Sequence, residues 1–352
     1  MNRSRFYSFA VPVFSVVIAL LIAAVVIVLV GKNPVYAYFK MIEGAFGSKQ
    51  ALANTIVKTT PLILTGLAVG FGFRAGVFNI GAEGQMAMGA LFSTMVAMNL
   101  GAVPSVFAIP ITLIVGMAMG AGWAAIAGAL KAYTGAHEVI TTIMLNWIAY
   151  YLGNYMVAAP LAVGSGTPKS PEISASSKLP PLLTVQATEL TSGIIIAIIA
   201  ALLLYILLEK TSLGYEVKAV GFNPYAAEYG GISISKNVVL SMAISGALAG
   251  LAGAVEAMGV HHRYLGALTA GKGFDGISIS LIGQNNPIGI IFAAFLIGSL
   301  RTGSNAMQFI GVSKHVVMIV QGIVIFLVAA ERIVRTLMIY MRLKGAKGGA
   351  EE

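Results

Sequence analysis

The stretch GQMAMGALFSTMVAMNLGAVPSVFAIPITLIVGMAMGAGWAAIAGAL, residues 84–130, contains no charged side chain. A helix that crosses a bilayer needs about 20 apolar residues, so this stretch is long enough for two such helices. The segment from Asn99 to Pro104 supplies the glycine and proline that end one helix and begin the next. The sequence therefore predicts two membrane-spanning helices joined by a short turn at 99–104.

The rest of the chain has the same apolar character. Of its 352 residues, 58% are hydrophobic and 10% are charged, whereas an ordinary soluble domain carries about 25% charged residues. Further runs without charge occupy residues 6–31, 59–73, 139–159, 190–208, 237–255, 276–300 and 316–330. We expect the first run to be a membrane anchor, because it is too long for the apolar part of a signal peptide. The sequence predicts an all-α integral membrane protein with a single domain, residues 1–352, and its length allows about eight to eleven spans.

Several kinds of site are not expected in this chain. There is no cysteine, and the four histidines lack the spacing of metal ligands. The net charge of +9 comes from scattered residues rather than a basic stripe, so no nucleic-acid partner is expected. Neither Gly31-Lys32 nor Gly271-Lys272 continues into a phosphate-binding loop, and no nucleophile–base pair is visible. We predict that the chain is not an enzyme and binds neither a metal nor another cofactor.

Three segments differ from the apolar runs. Residues 160–189 are rich in Pro, Ser, Thr and Gly, and are expected to form the longest extramembrane loop, on the external side. Residues 209–236 carry several charges and form the second connector, which is expected on the cytoplasmic side. The tail, residues 332–352, is basic. Because basic residues favour the cytoplasmic side, both termini are predicted to be cytoplasmic.

Glycine pairs four residues apart recur in the apolar runs. They are Gly66 and Gly70, Gly116 and Gly120, and Gly246 and Gly250. Such pairs let helix backbones approach closely in a membrane. We expect tight helix packing at each of them.

A cluster of polar residues interrupts the apolar region that follows Arg74. Asn79, Glu83 and Gln85 lie within seven residues of one another, and Asn146 lies in the middle of a later span. A carboxylate next to lipid is costly, so Glu83 should face the protein interior, water or a partner. One interpretation is that these four residues line the path of a polar solute. The other is that they satisfy backbone groups at a broken helix.

A second break is predicted near Pro287. The apolar segment from Gly276 to Gly283 is too short to span a membrane alone, and the sequence GQNNP follows it. Irregular backbone at membrane depth survives only where protein or a water-filled cavity covers it. A broken or re-entrant helix is therefore expected there.

The connector at 209–236 contains the signals of a short, separate helix. Asn223 is suited to cap its start, Pro224 suits its first turn, and Gly230 with Gly231 ends it. Tyr225 and Tyr229 are four residues apart and share a face, while Glu228 lies at its edge. This pattern favours a docking element, and the alternative is a plain connector.

Three stretches give the chain a family resemblance: GVFNIGAEGQM (76–86), GFNPYAAEYGGI (221–232) and GFDGISISLIGQNNP (273–287). With them, it resembles the permease subunits of ATP-binding-cassette (ABC) importers, in the ribose and branched-chain amino-acid permease superfamily. The resemblance implies about ten transmembrane helices in a bacterial inner membrane. It also implies a cytoplasmic coupling loop at 209–236 that docks on a separate ATPase, which holds the ATP and Mg.

A further stretch, GAHEVITTIMLN (135–146), is similar to the nucleoside importers of that superfamily. This implies a nucleoside as solute, a second and different permease subunit, and a substrate-binding lipoprotein. The same scaffold imports pentoses, hexoses and branched-chain amino acids, which stay open as alternatives. A stand-alone secondary transporter would need several ion-coupling carboxylates or an inverted repeat, and the sequence shows neither.

Overall fold

The computed structural model describes residues 17–164, 168–266, 268–313, 315, 316, 318, 319, 322, 323 and 326. The basic tail at 332–352 lies outside these residues. The helices are α1 Val17–Leu29, α2 Pro34–Phe46, α3 Lys49–Arg74, α4 Ala82–Ala97, α5 Ser105–Thr134, α6 Glu138–Ala158, α7 Gly193–Lys210, α8 Ser212–Phe222, α9 Pro224–Tyr229, α10 Ile234–Glu256, α11 Lys272–Ile282 and α12 Pro287–Phe309. Two strands, β1 Pro181–Val185 and β2 Thr188–Thr191, lie between α6 and α7.

The chain divides into two compact units, residues 1–51 with 300–352, and residues 52–299. In the first unit, α1 and α2 are bent by 116° at their junction. Asn33 begins α2, since its side-chain oxygen accepts hydrogen bonds from the N–H groups of Val35 and Tyr36. The prediction of a single domain over residues 1–352 stays a prediction.

In the second unit, α10 packs against α5 and α4 through glycines. A Cβ atom built at Gly120 would overlap the carbonyl oxygen of Gly246, and one built at Gly250 would overlap that of Gly116. The backbones of α5 and α10 therefore touch, which confirms the packing predicted for two of the glycine pairs. The remaining pair, Gly66 and Gly70, instead faces side chains of α11 and α12.

The helical bundle is confirmed, but a count of about ten spans is not. Among the described residues, five helices are long and apolar enough to cross a membrane, or six if the bent α1–α2 pair forms one span. Two breaks account for part of the difference. Helix α4 has only 16 residues and α11 only 11, so neither reaches the ~20 residues of an unbroken span.

The predicted break near Pro287 is confirmed. Helix α11 ends at Ile282, and α12 begins at Pro287 after a short turn. Gln284 and Asn285 both have a φ of 53°, in the left-handed region. The side-chain oxygen of Asn286 then caps α12 by accepting hydrogen bonds from the N–H groups of Ile288 and Gly289.

The long loop at 160–189 contains a β-hairpin that the all-α prediction missed. Strands β1 and β2 pair antiparallel, and Gln186 turns the chain with a φ of 52°. The loop also packs on the turn between α4 and α5, where Ser174 and Ser176 donate hydrogen bonds to the carbonyl oxygens of Met98 and Leu100. The 160–189 loop and the turn between α4 and α5 therefore lie on the same side of the second unit.

One ion pair holds this loop to the segment after α10, and a second lies within the loop. Lys178 donates a hydrogen bond of 2.5 Å to Glu172, and Arg263 lies 3.4 Å from the same carboxylate. The hydrogen bond from Lys178, together with the positive charges of Lys178 and Arg263, holds the pKa of Glu172 below its ordinary value.

Candidate solute site and coupling segment

The chain is not helical between α3 and α4, and residues 75–81 form what we call the break. Asn79 lies in it and is fully buried. Its amide nitrogen donates to the oxygens of Gln85, at 2.8 Å, and Ser245, at 2.7 Å. Its amide oxygen accepts from the N–H of Gly81 and from Gln85, both at 2.9 Å. Asn79 thus joins the break to α4 and α10.

Asn146 supports the same region from α6. Its side-chain oxygen accepts a hydrogen bond of 2.8 Å from the N–H of Gly84, and its nitrogen donates one of 3.0 Å to the carbonyl oxygen of Ile80. The N–H groups in the first turn of a helix have no partner within the helix. Asn146 satisfies one of them in α4 and also binds the residue before the helix.

Glu83 is directed towards a second helix end. Its two carboxylate oxygens accept hydrogen bonds from the N–H groups of Gly271, at 2.8 Å, and Gly273, at 2.7 Å, at the start of α11. A carboxylate is stabilised at a helix N-terminus by the unpaired N–H groups and by the helix dipole. Gly273 is required there, since a side chain at this position would overlap the backbone of Glu83. Glu83 itself is only half-buried.

A buried ion cluster beside Glu83 was not predicted. Lys272 donates hydrogen bonds of 2.9 Å to Glu256 and to the carbonyl oxygen of Leu268, and His261 lies 3.3 Å from Glu256. Glu256 is buried, with only 4% of its surface exposed. Glu256 is the last residue of α10, and its partners are brought to it by the π-turn at Ala257–His261 and by the start of α11.

The other end of the break is held by a further ion pair. Glu138, in the first turn of α6, lies 2.6 Å from Lys131 of α5 and accepts a long hydrogen bond, 3.4 Å, from the N–H of Phe78. A carboxylate in a first helical turn suits the helix dipole. The structure adds that it binds across to α5 and to the break.

The structure places all four of the predicted polar residues around one helix break. Asn79 and Gln85 bond to each other, whereas Asn146 and Glu83 bond to backbone groups at the starts of α4 and α11. Both interpretations given above predict such a cluster. The contacts show how the cluster holds the broken helices, and Glu83 is the only one of the four residues that is not buried.

The short helix in the 209–236 connector has the predicted bounds. Asn223 caps α9 by accepting hydrogen bonds of 3.1 Å from the N–H groups of Tyr225 and Ala226. Pro224 is its first residue, and Gly230 is its C-cap. The next residue, Gly231, has a φ of 83°, which suits glycine, and starts the chain towards α10.

The aromatic residues of this connector are not packed against the described protein. Tyr225 is 82% exposed, Tyr229 is 97% exposed, and Phe222 at the end of α8 is 88% exposed. Beside them lies a cleft of about 560 Å³ between α8 and α9, whose lining includes Tyr215, Glu216 and Phe222. Large exposed aromatic side chains next to a cleft are typical of an interaction surface.

A comparison with known families identifies the family of this chain. A family model described as "Branched-chain amino acid transport system / permease component" matches residues 51–329. The chain belongs to this permease family. The match includes the break, the ion cluster and the 209–236 connector of the permease. No solved structure matches it.

The relatives that the permease resembles cover nearly its whole length. It is 39% identical to the guanosine ABC transporter permease protein NupP of Bacillus subtilis, over 96% of this chain and 97% of the relative. It is 36% identical to the nucleoside ABC transporter permease protein NupB of Lactococcus lactis, over 96% and 94%. It is 34% identical to the glucose ABC transporter permease protein TsgB13 of Haloferax volcanii, over 92% and 88%.

A second permease of Bacillus subtilis also matches. It is the guanosine ABC transporter permease protein NupQ, which is 31% identical over 69% of this chain and 78% of its own length. In that bacterium, two permease proteins named for the same solute are therefore both related to this chain.

Proposed function

We propose that this permease is the membrane-spanning subunit of an ABC importer for nucleosides. The observation that carries the proposal is the similarity, over more than nine-tenths of the chain, to permeases named for guanosine and for nucleosides. The chain itself performs no catalysis. ATP and Mg are bound and used by a separate ATPase subunit, and a substrate-binding lipoprotein delivers the solute from outside.

The importer contains a second, different permease subunit, and the solute passes between the two. The related NupP and NupQ proteins support this arrangement. In our proposal Asn79, Glu83, Gln85 and Asn146 border the solute path. Glu83, which is only half-buried, contacts the solute. The other three residues hold the break in place through the hydrogen bonds described above.

The coupling segment, residues 223–231, transmits ATP-driven movement from the ATPase to the spans. The helix α9 is capped at both ends, so it moves as a rigid element. Tyr225 and Tyr229 insert into an apolar groove of the ATPase, and Glu228 lies at the rim, where an exposed charge pair contributes little. The exposure of both tyrosines supports this role.

The test of the solute is uptake by the complete importer in proteoliposomes. We expect ATP-dependent uptake of radiolabelled guanosine, adenosine, uridine or cytidine, and none of glucose, ribose or leucine. Uptake of glucose alone would instead favour the specificity of the related sugar permease. Uptake that continues without ATP and depends on the membrane potential would contradict an ABC importer.

The proposal places the chain in the bacterial inner membrane, with residues 160–189 outside and both termini and residues 209–236 in the cytoplasm. Because the chain contains no cysteine, single cysteines report this topology cleanly. An impermeant thiol reagent added to spheroplasts should label Thr184→Cys in the hairpin and spare Glu228→Cys until the membrane is opened. The reverse labelling would overturn the orientation.

A further inference from the structure

Helix α6 buries only a narrow stripe of its surface. The buried residues are Glu138, Thr142, Asn146, Ala149, Gly153 and Val157. Most of the remaining surface is exposed, and it includes Trp147, Tyr150 and Tyr151, with exposed fractions of 55%, 48% and 64%. Since α6 has 21 residues from Glu138 to Ala158, these three aromatic residues lie near the middle of the helix.

The three rings form one cluster. Trp147 stacks on Tyr151 with ring centroids 6.0 Å apart and an angle of 27° between the rings, and it meets Tyr150 edge-on at 6.0 Å. Tyr150 and Tyr151 are themselves 5.5 Å apart. The described part of the chain offers no hydrogen-bond partner to either tyrosine hydroxyl.

Helices α5 and α7, which are both long and apolar enough to cross a membrane, expose a different kind of surface. On α7 the exposed large residues are all aliphatic: Ile195, Ile198, Ile199, Leu202, Leu203 and Ile206. On α5 the exposed aromatic residues are Phe107 and Tyr133, which lie at its two ends. Aliphatic middles and aromatic ends are typical of lipid-facing helices, because aromatic side chains prefer the membrane interfaces.

The aromatic cluster of α6 does not fit that pattern. Helix α6 has the length of a span, but it is less apolar than the five candidate spans. Two hydroxyl groups near its middle would have no partner in hydrocarbon, which is costly. The molecule that contacts this cluster must offer both apolar surface and polar groups. Nucleosides have both, because each base has a flat π-face for stacking and polar atoms around its edge.

We propose that Trp147, Tyr150 and Tyr151 form a stacking surface for the nucleobase of the transported solute, on the wall of the path shared with the second permease. The inference rests on the proposed nucleoside function. The neighbouring Asn146 hydrogen-bonds Gly84 and Ile80, and this fixes the rotation of α6. Trp147 is therefore presented at a defined angle, one residue from the polar cluster around the break.

The first test compares two substitutions of Trp147 in the complete importer. Trp147→Phe keeps a ring for stacking, whereas Trp147→Leu keeps only apolar volume. We expect the KM for nucleoside uptake to rise roughly 5- to 100-fold in Trp147→Leu, the range that corresponds to the loss of one base–aromatic stack. Trp147→Phe should stay within a few-fold of wild type. Phe107→Leu is the matched control, because Phe107 is also exposed, at 63%, but lies at a helix end.

The outcomes separate the inference from the function on which it rests. If the wild-type importer takes up no nucleoside, the proposed function fails. If it takes up nucleosides and Trp147→Leu has a wild-type KM, the function stands and the stacking surface is wrong.

A second test does not depend on uptake by a variant of Trp147. A thiol in lipid does not ionise, so an impermeant charged thiol reagent should react with Tyr151→Cys only if this face is in water. We expect labelling of Tyr151→Cys in the assembled complex, slowed at least several-fold by guanosine but not by ribose. Leu202→Cys, on the aliphatic face of α7, should stay unlabelled. An unlabelled Tyr151→Cys, or equal protection by ribose and guanosine, would overturn the inference.

Discussion

The break and the coupling segment each contain an asparagine near the start of a helix. The polar residues of the break are mostly buried and bonded within the chain, whereas the aromatic residues of the coupling segment are exposed. In the break, Asn79 is fully buried, and the hydrogen bonds of its side-chain amide are made within the chain. In the coupling segment, Asn223 is exposed, and the helix it caps presents Tyr225 and Tyr229 almost completely to the surroundings.

This difference in burial separates residues that stabilise the fold from residues that are available to bind another subunit. A buried polar group that loses its partner carries the full desolvation cost, so the break should be sensitive to substitution even before transport is measured. An exposed aromatic residue contributes little to the stability of its own chain. Substitutions in the coupling segment should therefore affect assembly and leave the fold of the permease intact.

The largest effect is expected for Asn79→Leu. It removes the hydrogen bonds to Gln85, Ser245 and Gly81 and leaves buried polar groups without partners. We expect a loss of about 2–4 kcal/mol in stability, seen as a lower midpoint of thermal unfolding for the purified complex. Asn99→Leu is the control, because Asn99 is exposed and donates one bond to the carbonyl oxygen of Met95. Equal midpoints for the two variants would contradict the role of Asn79.

A smaller effect on stability is expected for Glu83→Gln. The glutamine keeps one acceptor oxygen but loses the charge and the second acceptor, so one N–H of Gly271 or Gly273 loses its partner. We expect a loss of about 1–2 kcal/mol, together with slower nucleoside uptake by a complex that still assembles. Failure to fold would favour a purely structural role for Glu83, and unchanged uptake would remove it from the solute path.

Substitutions in the coupling segment should weaken binding of the ATPase and leave the stability of the permease unchanged. Tyr229→Ala is expected to weaken ATPase binding by about 1–3 kcal/mol, the range of an interface hot spot, and Tyr225→Ala by a similar amount. Glu228→Ala should cost less than either. Co-purification of the ATPase and transport-stimulated ATP hydrolysis measure this, and the thermal midpoint of the permease should not move. Normal hydrolysis and uptake in both tyrosine variants would make this segment a plain connector.

How far the sequence predicts these regions depends on how local their signals are. The bounds of α9 follow from Asn223, Pro224 and Gly230, which are all within a few residues of the helix they start and end. The contacts of Glu83 do not follow from any local pattern, since Gly271 and Gly273 are 188 and 190 residues away along the chain. The sequence places a polar cluster at the break, but its partners depend on where α11 begins.

Runs of apolar residues allow about eight to eleven spans, but they do not show where a helix stops, and α4 ends after 16 residues. The count of about ten spans is not confirmed, whereas the β-hairpin was missed. The hairpin of β1 and β2 turns at Gln186 and Ala187, which lack the Asn-Gly or Asp-Gly signal of a two-residue turn. Its position in a polar loop further favoured an irregular connector.

The smallest effect is expected for Asn223→Ala, and it tests the comparison between the two asparagines most directly. The alanine removes the two cap bonds of 3.1 Å to Tyr225 and Ala226, but water can replace them because the site is exposed. Loss of a cap costs about 1 kcal/mol, and this cost should fall on α9 alone. We expect faster hydrogen exchange of the amides at 225–231, a modest drop in ATPase binding, and no change in the thermal midpoint of the complex. Asn223→Asp, which can still accept both bonds, should restore slow exchange. A fall in the thermal midpoint as large as that of Asn79→Leu would show that α9 is part of the folded core rather than a separate docking element.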